Sequence, residues 1–164
     1  MSSPLVSVIV GSTSDADVIA GCRRILDDYG LPHEAKVLSA HRTPHEVVEY
    51  VEALEGRGVR VVIAAAGMSA HLAGVVAAHT KLPVLGVPVA AGALQGVDAL
   101  LSTSQMPPGV PVACLGIGKP GAANAAHLAA RILALGDEAL RGKLAERVSA
   151  MRDKVLGASL PAEY

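Results

Sequence analysis

The chain has 164 residues, a formal net charge of −1, 51% apolar residues and 18% charged ones. That length and balance suit one globular domain, spanning 1–164, with a real core, and they exclude a disordered chain. The charges form no basic stripe, and every apolar run is broken by Gly, Pro or a charge before membrane-span length, so neither nucleic acid nor a bilayer is an expected partner.

Met1-Ser2-Ser3-Pro4 carries no basic segment and no secretory apolar stretch, so the cytoplasm is the expected location. Cys22 and Cys114 stand far apart and outside any CxxC pattern, which reads as two buried thiols. There are three Tyr and no Phe or Trp. Flavins and nucleobases are usually stacked on aromatic faces, so this scarcity speaks against a flavodoxin-type module that binds such a group without catalysis.

Leu5–Val10 is β-branched and nearly continuous, the pattern of a strand buried on both faces of a parallel sheet. Gly11-Ser12-Thr13-Ser14-Asp15 comes next, then a helix to about Tyr29 with Gly30 past its end. His33–Leu38 is the second expected strand. Ser39-Ala40-His41-Arg42 leads into a helix from Pro44 to about Glu55, with Thr43 as N-cap and Glu46 placed to close a capping box. Val59–Ala65 is the third strand, succeeded by Ala66–His71 and a helix that reaches His79. Pro83–Val87 is the fourth strand. Pro88–Gly109 is turn-rich with a short helix at Val97–Leu101, and Val110–Gly116 is the fifth strand. Helices at about Ala122–Leu135 and Asp137–Val155 close the chain. The first of these is apolar nearly all round and calls for cover from a neighbouring subunit; the second has one stripe, Leu140, Leu144, Val148, Met151 and Val155, and should pack on that face.

Strands alternating with helices predict an α/β fold: a doubly wound, flavodoxin-like three-layer α/β/α arrangement whose five parallel strands run in the order 2-1-3-4-5, with an additional C-terminal helix. Ligands of such sheets sit beyond the carboxyl ends of the strands where the order reverses, here between strands 1 and 3. The loops 11–15, 39–44 and 66–71 then converge, and they are the segments richest in Gly, Ser, His and Arg. In the first loop, free N–H groups and hydroxyls suit a phosphate, and Ser14 is also placed to cap the helix with Asp17. Asp15 would repel a bare anion but suits sugar hydroxyls. A phosphorylated ribose reconciles it with the cationic Arg42. His41 and His71 are candidate proton carriers. His33, His45, His79 and His127 read as structural or surface residues. His45-Glu46-Val47-Val48-Glu49 is not the zinc H-E-x-x-H pattern, so no metal is expected.

Six segments, in order and at matching spacing over about residues 5–135, resemble the PurE family of carboxyaminoimidazole ribonucleotide enzymes. They are Gly-Ser-x-Ser-Asp at 11–15, Ser-Ala-His-Arg-Thr-Pro at 39–44, Ala-Gly-x-x-Ala-His-Leu at 66–72, Leu-Gly-Val-Pro at 85–88, Gln-Met-Pro at 105–107 and Ala-Ala-Asn-Ala-Ala at 122–126. Arg42 stands where the family's class II carboxylases, which take free CO2, tend to have Lys, so the match is to the class I mutase. Met68-Ser69 and Ala73 depart from the usual small residues and Pro. The resemblance implies conversion of N5-carboxyaminoimidazole ribonucleotide to its C4-carboxylated isomer without cofactor or metal, by a homo-octamer whose labile substrate comes from an ATP-dependent partner enzyme. It implies His41 as the proton-transfer residue, with Arg42 on the phosphate and Ser12 and Asp15 on the ribotide. Ser14, Ser39, Gly67 and His71 would then line the reacting end. The alternatives are the class II carboxylase and the non-enzymatic nucleotide-binding module.

Overall fold

The computed structural model describes residues 3–160. Five strands are joined by helices: β1 Val6–Val10, α1 Ala16–Tyr29, β2 His33–Val37, α2 Pro44–Glu52, β3 Val61–Gly67, α3 Leu72–Ala78, β4 Val84–Val89, α4 Val97–Ser104, β5 Ala113–Cys114, α5 Lys119–Leu133 and α6 Glu138–Leu156. All pairings are parallel, in the order β2-β1-β3-β4-β5. Val6 lies opposite both His33 and Val61, and Val10 opposite Val37 and Ala65. Among the described residues no helix is long and apolar enough to cross a membrane.

The period-2 alternation of the strands divides the core in two. Val6, Val8, Val10, Val61 and Ile63 face α1, α5 and the start of α6. Ile9, Val62 and Ala64 face α2 and α3. Each such buried Val or Ile side chain contributes about 1.5–3 kcal/mol relative to exposure. Ser7 interrupts the second face, and its hydroxyl is 2.8 Å from the Tyr50 hydroxyl. Tyr50 in turn donates to Glu34 at 2.6 Å, and Arg57 pairs with the other oxygen of that carboxylate. Burial, and the carboxylate beside it, push the Tyr50 phenol up to about 12. The network ties edge strand β2 to α2, so a buried polar residue in β1 is satisfied rather than orphaned.

Several local expectations change on folding. Thr43 is the N-cap of α2, but its side chain makes no cap bond and no capping box closes with Glu46. Instead the Thr43 hydroxyl donates to the Ser39 carbonyl at 3.1 Å and accepts from the Ser39 N–H at 2.9 Å. Ser14 does not cap α1 either; Thr13–Asp15 form a 3₁₀ turn capped by the Ser12 side chain, and Asp15 is the N-cap residue of α1 without a side-chain bond. The fifth strand is only Ala113–Cys114, because it pairs on one side alone, and α5 begins earlier, at Lys119. Cys22 is buried, Cys114 is half-buried, and both are free.

The two C-terminal helices reverse the sequence reading. Ala122, Ala125, Ala126, Ala129 and Ala130 of α5 are fully buried within the chain, under α1 and against the sheet, so cover from another subunit is not what this helix lacks. In α6 the stripe packs only at its root: Leu140 is buried and Leu144 half-buried, whereas Val148, Met151 and Val155 are exposed.

The junction of α1, α5 and α6 is polar. The Tyr29 hydroxyl lies 2.9 Å from His127 Nδ1, Arg147 stacks over the Tyr29 ring and reaches Asp28 at 3.5 Å, and Lys143 donates to the Tyr29 carbonyl at 2.8 Å. Burial, then the charges of Arg147 and Arg131, hold the His127 imidazole below its ordinary value of 6.5. Its neutral form therefore belongs to the folded state, and the stabilisation is present above that value and lost as pH falls through the lower folded value. Thermal melts should show the wild-type midpoint dropping relative to His127→Gln as pH falls below 6.5, with no such divergence above it.

Candidate active site

At the carboxyl ends of β1, β2 and β3 lies a cavity of about 530 Å³. All eight residues singled out from the sequence line it: Ser12, Ser14 and Asp15 after β1; Ser39, His41 and Arg42 after β2; Gly67 at the end of β3; and His71 just before α3. The switch in strand order puts these loops side by side, as open parallel sheets require.

Hydrogen bonds lock the loops to one another. The Arg42 guanidinium donates through Nη2 to the Gly11 carbonyl at 2.9 Å and through Nε to Ser39 Oγ at 3.3 Å. The side chain thus spans from the second loop to the first. The Ser14 hydroxyl lies 2.9 Å from Ser12 Oγ and 3.2 Å from Asp15 Oδ1. Asp15 is the one buried carboxylate of the site. Burial pushes its carboxyl up, against the hydrogen bonds of Ser14 and Ser12 and the charge of Arg42, which pull it down.

His41 and His71 meet directly. His41 Nε2 lies 2.8 Å from His71 Nδ1, with the two rings edge-to-face at 4.8 Å between centroids. One ring carries the hydrogen between those two nitrogens and the other accepts it, and both rings line the same cavity as the serine hydroxyls and Arg42. Separation of 30 residues along the chain hides this contact from any sequence pattern.

A side chain at Gly67 would be crowded: its Cβ would sit 3.1 Å from both Ala91 Cβ and the Val89 carbonyl oxygen, so those neighbours would have to give by a few tenths of an ångström. Met68 is next, with φ 56, a left-handed backbone that a side chain disfavours. Its side chain lies over Gly92. Ala40, Ala66, Met68, Ser69, Leu72 and Ala91, none of them singled out as a site residue from the sequence, also line the cavity. Ala91 comes from the turn-rich stretch after β4, a fourth loop beside the switch point; its position after a strand was the available signal. Ser102 of α4 accepts from the Ala70 N–H at 3.1 Å and so steadies the 66–71 loop from behind.

A sequence model described as AIR carboxylase matches residues 5–154. The chain belongs to the AIR carboxylase family. It is 53% identical over 156 residues to the N5-carboxyaminoimidazole ribonucleotide mutase of Bacillus subtilis, covering 95% of this chain and 96% of that one. It is 58% identical over 131 residues to the protein of the same name from Pseudomonas aeruginosa, covering 80% of each. Among solved structures, Treponema denticola PurE superposes with a TM-score of 0.83 at 29% identity, covering 93% of this chain and 94% of that one. The flavodoxin-like architecture and the five-stranded order are those of this AIR carboxylase fold.

A buried aspartate whose carboxyl is raised by desolvation destabilises the fold when it ionises. The stability present below its ordinary value of 3.8 falls as pH rises through the raised one. Asp15→Asn should therefore melt higher than wild type at neutral pH, and the difference should vanish below pH 3.8 in calorimetric scans.

Proposed function

We propose that this chain is an N5-carboxyaminoimidazole ribonucleotide mutase: an isomerase that moves the carboxyl group from the exocyclic nitrogen to C4 in de novo purine biosynthesis. The observation that carries the activity is identity of 53% over nearly the full length of both chains to a protein of that name. The cavity supplies a group for each role that reaction needs.

His41 is the proton carrier. As imidazolium it gives its proton to the carbamate nitrogen; the N–C bond breaks, its electrons stay on nitrogen, and CO2 is released beside aminoimidazole ribonucleotide. The electron-rich C4 then attacks the carbon of CO2. Neutral His41 takes the C4 proton, which restores the aromatic ring and the starting protonation state. His71, hydrogen-bonded to His41, orients that imidazole and lines the reacting end with Ser14, Ser39 and Gly67. Arg42 receives the ribotide phosphate, since a guanidinium fork matches phosphate oxygens and already stands between two of the loops. Asp15 and Ser12 take the ribose hydroxyls. Ala40, Ala66, Leu72 and Ala91 give the cavity small apolar walls, which favour keeping CO2 unhydrated between the two steps.

We further assign the chain to a cytoplasmic homo-octamer coupled to the ATP-dependent enzyme that makes the carbamate. The family resemblance supports the octamer, and the lability of a free carbamate supports the coupling. The reaction balances without cofactor or metal.

His41→Asn should bind the ribotide within a few-fold of wild type while kcat falls by about 10²–10⁴, the range for loss of a general acid–base. Single-turnover assays with the carbamate ribotide measure it, and near-normal turnover would refute the role. Arg42→Ala should weaken ribotide binding by roughly 10–100-fold, the loss of about 1.5–3 kcal/mol from a charge-assisted contact. Calorimetric titration with the ribotide reads that change. Turnover of aminoimidazole ribonucleotide with bicarbonate in preference to the carbamate would instead place the enzyme with the carboxylases.

A further inference from the structure

Between its two steps the assigned reaction leaves the carboxyl carbon as CO2, a small neutral molecule with no charge for Arg42 or a histidine to hold. Only walls keep it beside C4. One wall of the cavity is a seam between the segment that follows β3 and the turn that follows β4. The ladder between these strands ends with Gly67 opposite Val89, so past that pair side chains must close the seam. At the first step beyond it, a Cβ on Gly67 would crowd Ala91 Cβ at 3.1 Å. At the next, a Cβ on Gly92 would lie 3.8 Å from Met68 Cγ and 4.0 Å from Met68 Cε, which is ordinary van der Waals contact. The Met68 side chain thus lies across Gly92.

Backbone strain converges on the same turn. Outside glycine, the left-handed backbones among the described residues are those of Met68 at φ 56 and Gln95 at φ 50. Both bear on Gly92. Gln95 donates through Nε2 to the Gly92 carbonyl at 3.0 Å, and its N–H reaches the same oxygen at 3.4 Å. Glycine adopts such a backbone freely, yet position 68 carries a long side chain where the family resemblance calls for a small one. Burial does not account for it, because Met68 is 58% exposed. Strained residues persist where their surroundings enforce them, and they gather at working sites. With glycine at both 68 and 92, backbone alone would line this part of the seam.

We propose that Met68, laid over the Gly92 turn that Gln95 pins, closes the cavity against escape of CO2 between the two steps. An unbranched thioether with several rotatable bonds conforms to a narrow gap and yields when the ribotide enters or leaves. Met68 is a positioning residue: it moves no proton and holds no phosphate. It decides what share of the CO2 released from nitrogen is captured by C4. The role rests on the mutase reading and adds no bond change to the two steps already given.

Isotope retention tests it. Full-length enzyme in excess is mixed with carbamate ribotide labelled with carbon-13 in its carboxyl group, in unlabelled bicarbonate with carbonic anhydrase. CO2 that leaves the cavity is diluted into the unlabelled pool. Mass spectrometry of the C4-carboxylated product then reads escape as the ratio of unlabelled to labelled product, with an enzyme-free sample correcting for breakdown in solution. The ratio is set within each turnover, so changes in overall rate or ribotide affinity do not enter it. Met68→Gly suits the left-handed backbone, which keeps the fold intact, and it should raise the ratio by at least about five-fold. Met68→Leu keeps the apolar bulk and should stay within about two-fold of wild type. Gln95→Gly drops the side-chain bond to Gly92 and should raise the ratio by a smaller factor than M68G. A ratio unmoved in M68G overturns the proposal, and so does escape in M68L equal to that in M68G. An unmoved ratio in Q95G overturns the part given to Gln95. Fully exchanged product from the wild type shows that nothing is retained and overturns the closure. A wild type that forms no C4-carboxylated product from the carbamate refutes the mutase reading itself, and the closure falls with it.

Discussion

The parallel pairing of β1 with β3, Val6 on Val61 through Val10 on Ala65, is the constraint on which the rest of this molecule depends. Both strands are buried on both faces, so neither can shift register by one residue without exchanging which side chains each helical layer receives. The chain must leave β1 to one side for β2 and return on the other for β3. That reversal leaves an opening above the sheet at the place where the loops after β1, β2 and β3 end. The cavity is a consequence of strand order before it is a consequence of any side chain in it.

The groups that fill the opening are held together by polar contacts between loops. Arg42 is tied to the Gly11 carbonyl and Ser39, Thr43 turns back onto Ser39, and His41 reaches His71. Because the Thr43 hydroxyl serves the loop, it is withdrawn from the helix end, where capping alone would have placed it. Asp15 remains in a buried setting that raises its carboxyl, and Met68 accepts a left-handed backbone beside Gly67. These are local costs, borne by a sheet with two well-filled hydrophobic layers, and they gather at the one cavity to which the chemistry is assigned.

Away from the cavity, the small side chains of α5 explain the uneven character of the two last helices. Alanines let the inner face of α5 sink between α1 and the sheet, while Leu128, Ile132 and Leu133 stay half-buried at its margin. The α6 helix then finds only the margin of that packed layer. It is fastened at its root by Leu140, Lys143 and Arg147 and runs on into solvent. A helix apolar nearly all round thus finds most of its cover within the chain, while one with a clean single stripe is left half-covered.

Alternating apolar strands and periodic helices were legible in the sequence, as were the strand order, the convergence of three loops and eight of the residues that line the cavity. The elements and the converging loops come from local chemistry: β-branched runs, glycine after a helix, and polar residues clustered where parallel strands end; the choice of individual residues within the loops rests also on the family resemblance. Ends of elements were less legible, because the bounds of β5 and α5 depend on which neighbours are available for pairing. Three features lay wholly outside the one-dimensional pattern: the contact of His41 with His71, the wall supplied by Ala91, and the uncovered half of α6. Each is a relation between segments remote along the chain. Periodicity can say which face of a helix is apolar, but only packing in three dimensions decides how much of that face finds something to touch.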